Sequence, residues 1–154
     1  ALRARGIGRP PHRRARGATY HDAVRLFPIL AGWSADLFLS ILFSLVITAI
    51  VAGDGAAEAA AARIDSSIEL QLSTLLVGLA FTGVGGYVAA RLASERAMAH
   101  AVAVGLLSLG FGAAVTLFTP AEAPIWYQYL GLALTIPFAA FGGYYHVATA
   151  RRAR

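Results

Sequence analysis

Asp36 is the residue whose type and setting promise chemistry most plainly, because it is the one charge in the apolar run from about Ile29 to Ala52. A carboxylate at the centre of a membrane helix costs about 2.5 to 3.5 kcal/mol, so such a residue is a functional candidate by default. Ser40, Ser44 and Thr48 follow it at four-residue spacing, which draws one polar stripe along a helix. Arg91, His100 and His146 fall near helix ends, and with Asp36 they define an expected polar cluster at one depth. Such a cluster would relay protons or bind an anion, since histidine titrates near physiological pH. The competing reading is structural: Asp36 sits at interface depth, the arginines snorkel and the histidines mark the interface. Pro137, in the middle of the last apolar run, predicts a kink that frees the carbonyl of Ala133, either to line an ion path or to be satisfied by Thr135 and neighbouring helices.

Other chemistries find no residues. The chain has no cysteine, which removes disulfides, thiolate metal sites, iron–sulfur clusters and cysteine nucleophiles. It lacks His-Glu-x-x-His, Gly-x-Ser-x-Gly and a phosphate-binding P-loop, and Gly83-Val-Gly-Gly is embedded in an apolar helix rather than following a strand. The expectation is a protein that is not an enzyme and carries neither metal nor cofactor.

The elements that must position these residues are membrane spans. Of 154 residues 58% are hydrophobic and 14% charged, where soluble domains carry about 25% charged residues. About 20 apolar residues cross the hydrocarbon core. Four segments meet that length, at about 29–52, 70–90, 97–118 and 125–150. In the second, the leucines, valines and Phe81 together favour insertion by roughly 4 kcal/mol. A cleaved signal sequence is the rival reading of the first segment, but its apolar run is long for one.

Charge orients the spans. Arg3, Arg5, Arg9, Arg13, Arg14, Arg16 and Arg25 precede the first, Arg91 and Arg96 lie between the second and third, and Arg151, Arg152 and Arg154 follow the fourth. Only Arg63 falls in the opposite compartment, beside Asp54, Glu58, Asp65, Glu69 and Glu122. The positive-inside rule therefore predicts both termini in the cytoplasm, as an even number of spans also requires. Ser66 with Glu69 reads as a capping box opening the second span, and Pro120 and Pro124 bracket the turn into the fourth. Trp126, Tyr127 and Tyr129 read as one interfacial belt, and Trp33, Tyr144 and Tyr145 as the other. Residues 1–28 form a basic tail expected to be disordered, either native and drawn to anionic headgroups or translated upstream sequence with the start near Val24; residues 151–154 form a basic C-terminal tail.

Helices in lipid associate through small residues that let backbones approach. Seams are expected at Ser40, Ser44 and Thr48; at Gly78, Thr82 and Gly86; at Ala97, Ala101 and Gly105, with Ser108, Gly112 and Thr116 on another face of that span; and at Gly131, Thr135, Ala139 and Gly143. Phe81-Thr-Gly-Val-Gly-Gly-Tyr87 aligns with Phe138-Ala-Ala-Phe-Gly-Gly-Tyr144, a hint of two parallel helical hairpins. The run Gly85-Gly-Tyr-Val-Ala-Ala-Arg-Leu-Ala93, followed by His100 and a Gly/Leu-rich span, resembles small bacterial four-helix inner-membrane proteins with no established activity. That resemblance covers roughly Gly78 to Gly112 and implies an inner-membrane location; it carries no site residue.

The expected fold is thus an all-α membrane protein, four transmembrane helices in a compact bundle. The expected role is that of an accessory, scaffold or oligomerising component. The alternative is a small proton- or ion-coupled transporter or channel using Asp36. Expected partners are the lipid bilayer and a homo-oligomer or larger membrane complex; nucleic acid is not expected, because no aromatic platform accompanies the basic tail.

Overall fold

A computed structural model describes residues 25–53, 55–93, 95–118 and 124–152. The expectations for residues 1–24, Asp54, Pro120, Glu122 and Arg154 lie outside the described residues. Among the described residues the only secondary structure is helical: α1 (Leu26–Ala52), α2 (Ala57–Ser66), α3 (Ile68–Leu92), α4 (Ala97–Phe118) and α5 (Ile125–Arg152). Four of these, all but α2, are long and apolar enough to cross a membrane, and they pack against one another.

The long helices outrun the expected spans where the local chemistry allows. α1 starts at Leu26 rather than near Ile29, because Pro28 sits in the first turn, where its missing N–H costs nothing. Residues 26–28 therefore belong to the bundle, and Pro28 is buried. Gly53, at φ 55°, ends the helix in the left-handed region that glycine enters freely. α5 extends through Arg151 and Arg152, so this part of the basic tail is helical. The helix also runs on through Pro137.

α2 occupies the stretch between the first two spans, for which the apolar periodicity predicts no span. Its alanines are strong helix formers, and Glu58 and Arg63 complement the dipole at its two ends. Arg63 Nη1 donates to the Val51 carbonyl at 3.0 Å, tying α2 to an orphan acceptor at the end of α1. The expected capping box moves by one residue. Ser67 is the N-cap of α3 and accepts from the Leu70 N–H at 3.4 Å, while its hydroxyl donates to Glu69 at 2.9 Å. Ser66 instead completes α2, donating to the Arg63 carbonyl at 3.1 Å.

α3 touches every other helix, whereas α1 and α5 share no contact among the described residues. The bundle is therefore closed around α3 and α4. One half is packed backbone to backbone. A methyl group on Gly32 would run into the Gly85 carbonyl oxygen, one on Gly86 into Ala139, one on Gly142 into Gly83, and one on Gly143 into Ala101. Ala89, Ala90, Ala101, Val104 and Ala139 fill the same half and are fully buried. In lipid such close approach supplies the dispersion energy that the hydrophobic effect does not. Gly86, Ala139 and Gly143 were expected here; Gly32, Gly85 and Gly142 are additions.

The other half, toward α2, is open. Gly78 has nothing within 4 Å of where a Cβ would stand. Ser44 is exposed, and Ser40, Ser44 and Thr48 border a cleft rather than a helix contact. The seam expected along the outer part of the first span is thus a polar wall. α1 itself buries only Pro28, Ile29, Gly32 and Asp36, all in its first three turns.

Two aromatic assignments also change. Trp33 leaves the expected belt: it is half-buried, packs against Ile29, Ala89 and Val104, and meets Phe111 edge-on at 5.7 Å. Tyr127 turns inward, its hydroxyl 3.4 Å from that of Thr74. Trp126, Tyr129, Tyr144 and Tyr145 remain exposed.

Candidate functional site

Asp36 lies at the boundary between the two halves. At 1.5 Å per residue it stands about 15 Å from the start of α1 and about 24 Å from its end, near the middle of a membrane crossing. Its carboxylate is buried, at 5% exposure. Ser108, midway along α4, donates to Oδ2 at 2.7 Å, and Thr82, midway along α3, donates to Oδ1 at 3.2 Å. Three helices thus converge on one acid. The two hydroxyls satisfy the buried acid: a buried polar group without partners would cost several kcal/mol, at roughly 2–7.

A cavity of about 340 Å³ opens from this point toward α2. Its floor is Asp36 with Thr82 and Ser108; its wall carries the hydroxyls of Ser40, Thr74, Thr116, Tyr127 and Thr135. Leu75, Leu79, Phe111 and Leu132 supply the apolar remainder. The single Thr82 proton is shared between Asp36 and the Gly78 carbonyl, and Thr135 donates to the Gly131 carbonyl, so both side chains are held against their own helices. The arrangement offers one carboxylate and a ladder of oxygen atoms in an otherwise apolar shaft. A hydroxyl both donates and accepts, so Ser108 and Thr82 can hold the acid or rotate lone pairs toward a cation beside it.

The other members of the expected cluster stand elsewhere. His100 is buried, but its ring is occupied: Nε2 accepts the Arg25 N–H at 3.0 Å and Nδ1 faces the Arg96 carbonyl at 3.1 Å. A carbonyl only accepts, so Nδ1 carries the proton, and the imidazole fastens the first turn of α1 to the start of α4. His100 is eight residues before Ser108 on α4, about 12 Å along the axis, with Val104 and Gly105 packed between them. His146 is half-buried and meets the Tyr87 ring edge-on at 5.5 Å. Arg91 is exposed. None of the three shares a described hydrogen bond with Asp36.

Of the residues expected along helix faces, Ser40, Gly78, Thr82, Ser108, Gly112, Thr116, Gly131 and Thr135 line the cavity. Pro137 is exposed, and neither it nor Ala133 lines that wall, so the freed carbonyl does not face the cavity. Thr74, Tyr127 and Gln128 were not read as site residues. Their signal was weak: Thr74 is on α3 and Tyr127 and Gln128 are on α5, and only the packing makes them neighbours. No group of three His, Asp or Glu side chains suited to a metal ion occurs among the described residues.

No protein-family model, curated protein or solved structure matches the chain. What the site does must be argued from its own geometry.

Proposed function

We propose that the protein is a non-enzymatic, multi-pass membrane protein that admits a proton or small cation to Asp36 from one side of a bacterial inner membrane. The observation that carries this reading is the hydroxyl-lined cavity ending on a mid-membrane carboxylate. Acidic residues inside membrane bundles that face a polar cavity mark ion and proton paths. Beyond Asp36 the shaft meets glycine and alanine packing, so passage to the other side requires that half to open. The test is proton and monovalent-cation flux in liposomes. Wild type carries flux and Asp36→Asn does not, while both variants remain folded; equal flux from both rejects the reading.

The orientation rests on charge. Arg25, Arg91, Arg96, Arg151 and Arg152 gather at the closed end with one acid, Glu95, whereas Glu58, Asp65 and Glu69 accompany Arg63 at the open end. The positive-inside rule puts the closed end, with both chain termini, in the cytoplasm. The cavity then faces the periplasm. The aligned glycines do not pack alike: Gly85 meets Gly32 of α1, whereas its counterpart Gly142 meets Gly83 of α3.

A second reading, an accessory, scaffold or oligomerising component, is favoured by α1. From Phe38 onward this helix exposes Phe38, Ile41, Leu45 and Ile50 and buries no residue fully. Its outer face meets lipid or another helix. Mild purification followed by mass spectrometry decides: a stoichiometric membrane partner supports this reading, and a lone chain removes it.

A further inference from the structure

The α3 and α5 faces that turn away from the Asp36 cavity form a second concavity. Ala80, Gly83, Val84 and Tyr87 on α3 stand opposite Phe138, Phe141, Gly142 and Tyr145 on α5, around a volume of about 370 Å³. On each helix the residues recur at three- and four-residue steps, so each set forms one face. The floor exists because Gly83 and Gly142 let the two backbones touch, while the aromatic side chains beside them stand up as ridges. Phe141 is 65% exposed and Tyr145 57%. The groove is almost wholly apolar along its length.

Its end nearer the arginines is different. Tyr87 and Tyr145 pair there with ring centroids 6.2 Å apart, and the His146 ring abuts Tyr87. Among the described residues neither phenol makes a hydrogen bond, so both keep a donor. Arg91 stands one turn beyond Tyr87 and Arg152 two turns beyond Tyr145, each exposed. An apolar slot therefore leads to a cluster of donors and positive charge at the level of the headgroups.

We propose that this groove holds the acyl chain of one anionic phospholipid, whose phosphate is met by Arg91 with Tyr87 and Tyr145. The charge decides the occupant. A second copy of this chain in the same orientation would bring Arg91, Arg151 and Arg152 against their own counterparts, and like charges facing each other disfavour that pairing. An anionic headgroup neutralises the same residues, at about 1 kcal/mol per arginine near the surface. The site is independent of Asp36 and does not depend on transport.

The experiment uses the full chain, delipidated in detergent and offered phosphatidylglycerol or phosphatidylcholine, with retained lipid counted by native mass spectrometry and stability by thermal melting. Wild type is expected to retain one phosphatidylglycerol and to melt higher with it than with phosphatidylcholine. Arg91→Gln should reduce the preference for phosphatidylglycerol about fivefold. Ala80→Phe, which fills the groove from an exposed position, should abolish retention; if that variant fails to fold, Val84→Trp fills the same space. Equal retention of the two lipids by wild type overturns the proposal, as does retention unchanged in the filled variant. A dimer cross-linked through single cysteines at Val84 and Phe141 would also overturn it, by giving the groove to a second copy.

Discussion

Ser108 of α4 donates to Oδ2 of Asp36 of α1 across the bundle at 2.7 Å, one turn from the edge-on contact of Trp33 with Phe111 between the same two helices. This bond, with that of Thr82, is what makes a mid-helix carboxylate compatible with an apolar interior. It also divides the molecule, with glycine packing on one side and the hydroxyl-lined cavity on the other.

Ser108→Ala should therefore destabilise the bundle by about 0.6 to 1.7 kcal/mol, the range of interhelical hydrogen bonds in membrane proteins. Thr82→Val should cost less. Its bond is longer at 3.2 Å, and the Thr82 hydroxyl is shared with the Gly78 carbonyl. Thermal or denaturant unfolding in a fixed detergent ranks the two.

Glycines that look alike in the sequence should respond oppositely to alanine. Gly86→Ala and Gly142→Ala push a methyl group into backbone atoms of Ala139 and Gly83, an overpacking expected to cost about 1–3 kcal/mol. Gly78→Ala meets open space and should be neutral or stabilising by up to about 1 kcal/mol through helix propensity. The same unfolding assay checks all three; equal losses would mean that the open half packs as tightly as the closed one.

Because the chain has no cysteine, single cysteines report access cleanly. Ser40→Cys and Thr116→Cys, in the cavity wall, should react with a membrane-impermeant thiol reagent added outside spheroplasts, whereas Val104→Cys should not. Reaction of Glu95→Cys from outside would reverse the orientation. Reaction of Glu58→Cys from outside would support it.

Capping distinguishes two adjacent serines. Ser67→Ala removes the N-cap of α3 and should cost about 0.5–2 kcal/mol. Ser66→Ala loses only an exposed bond to the Arg63 carbonyl and should leave the melting temperature nearly unchanged. A loss that follows Ser66 instead would return the cap to the earlier residue.

The sequence by itself determined the four long apolar helices and the separation of arginines from acids at the two ends. Both are properties of composition along the chain: a run of about 20 apolar residues must satisfy its backbone internally, wherever its side chains point. It also singled out Asp36, because a lone acid in such a run needs no structure to be conspicuous. It grouped Arg91, His100 and His146 with that acid by their shared depth near helix ends, whereas the carboxylate meets Thr82 and Ser108. In a sequence this rich in alanine and glycine, almost every helix face offers a small-residue seam, so spacing could not say that Gly32, Gly85 and Gly142 meet backbone while Gly78 meets a void. α2 is too short to read as a span, at ten residues, and its anchor is a carbonyl of another helix. Helix rotation and register are settled by contacts between residues far apart in the chain. Only the tertiary structure could therefore place Thr82 and Ser108 on Asp36 and leave a cavity on one side of it.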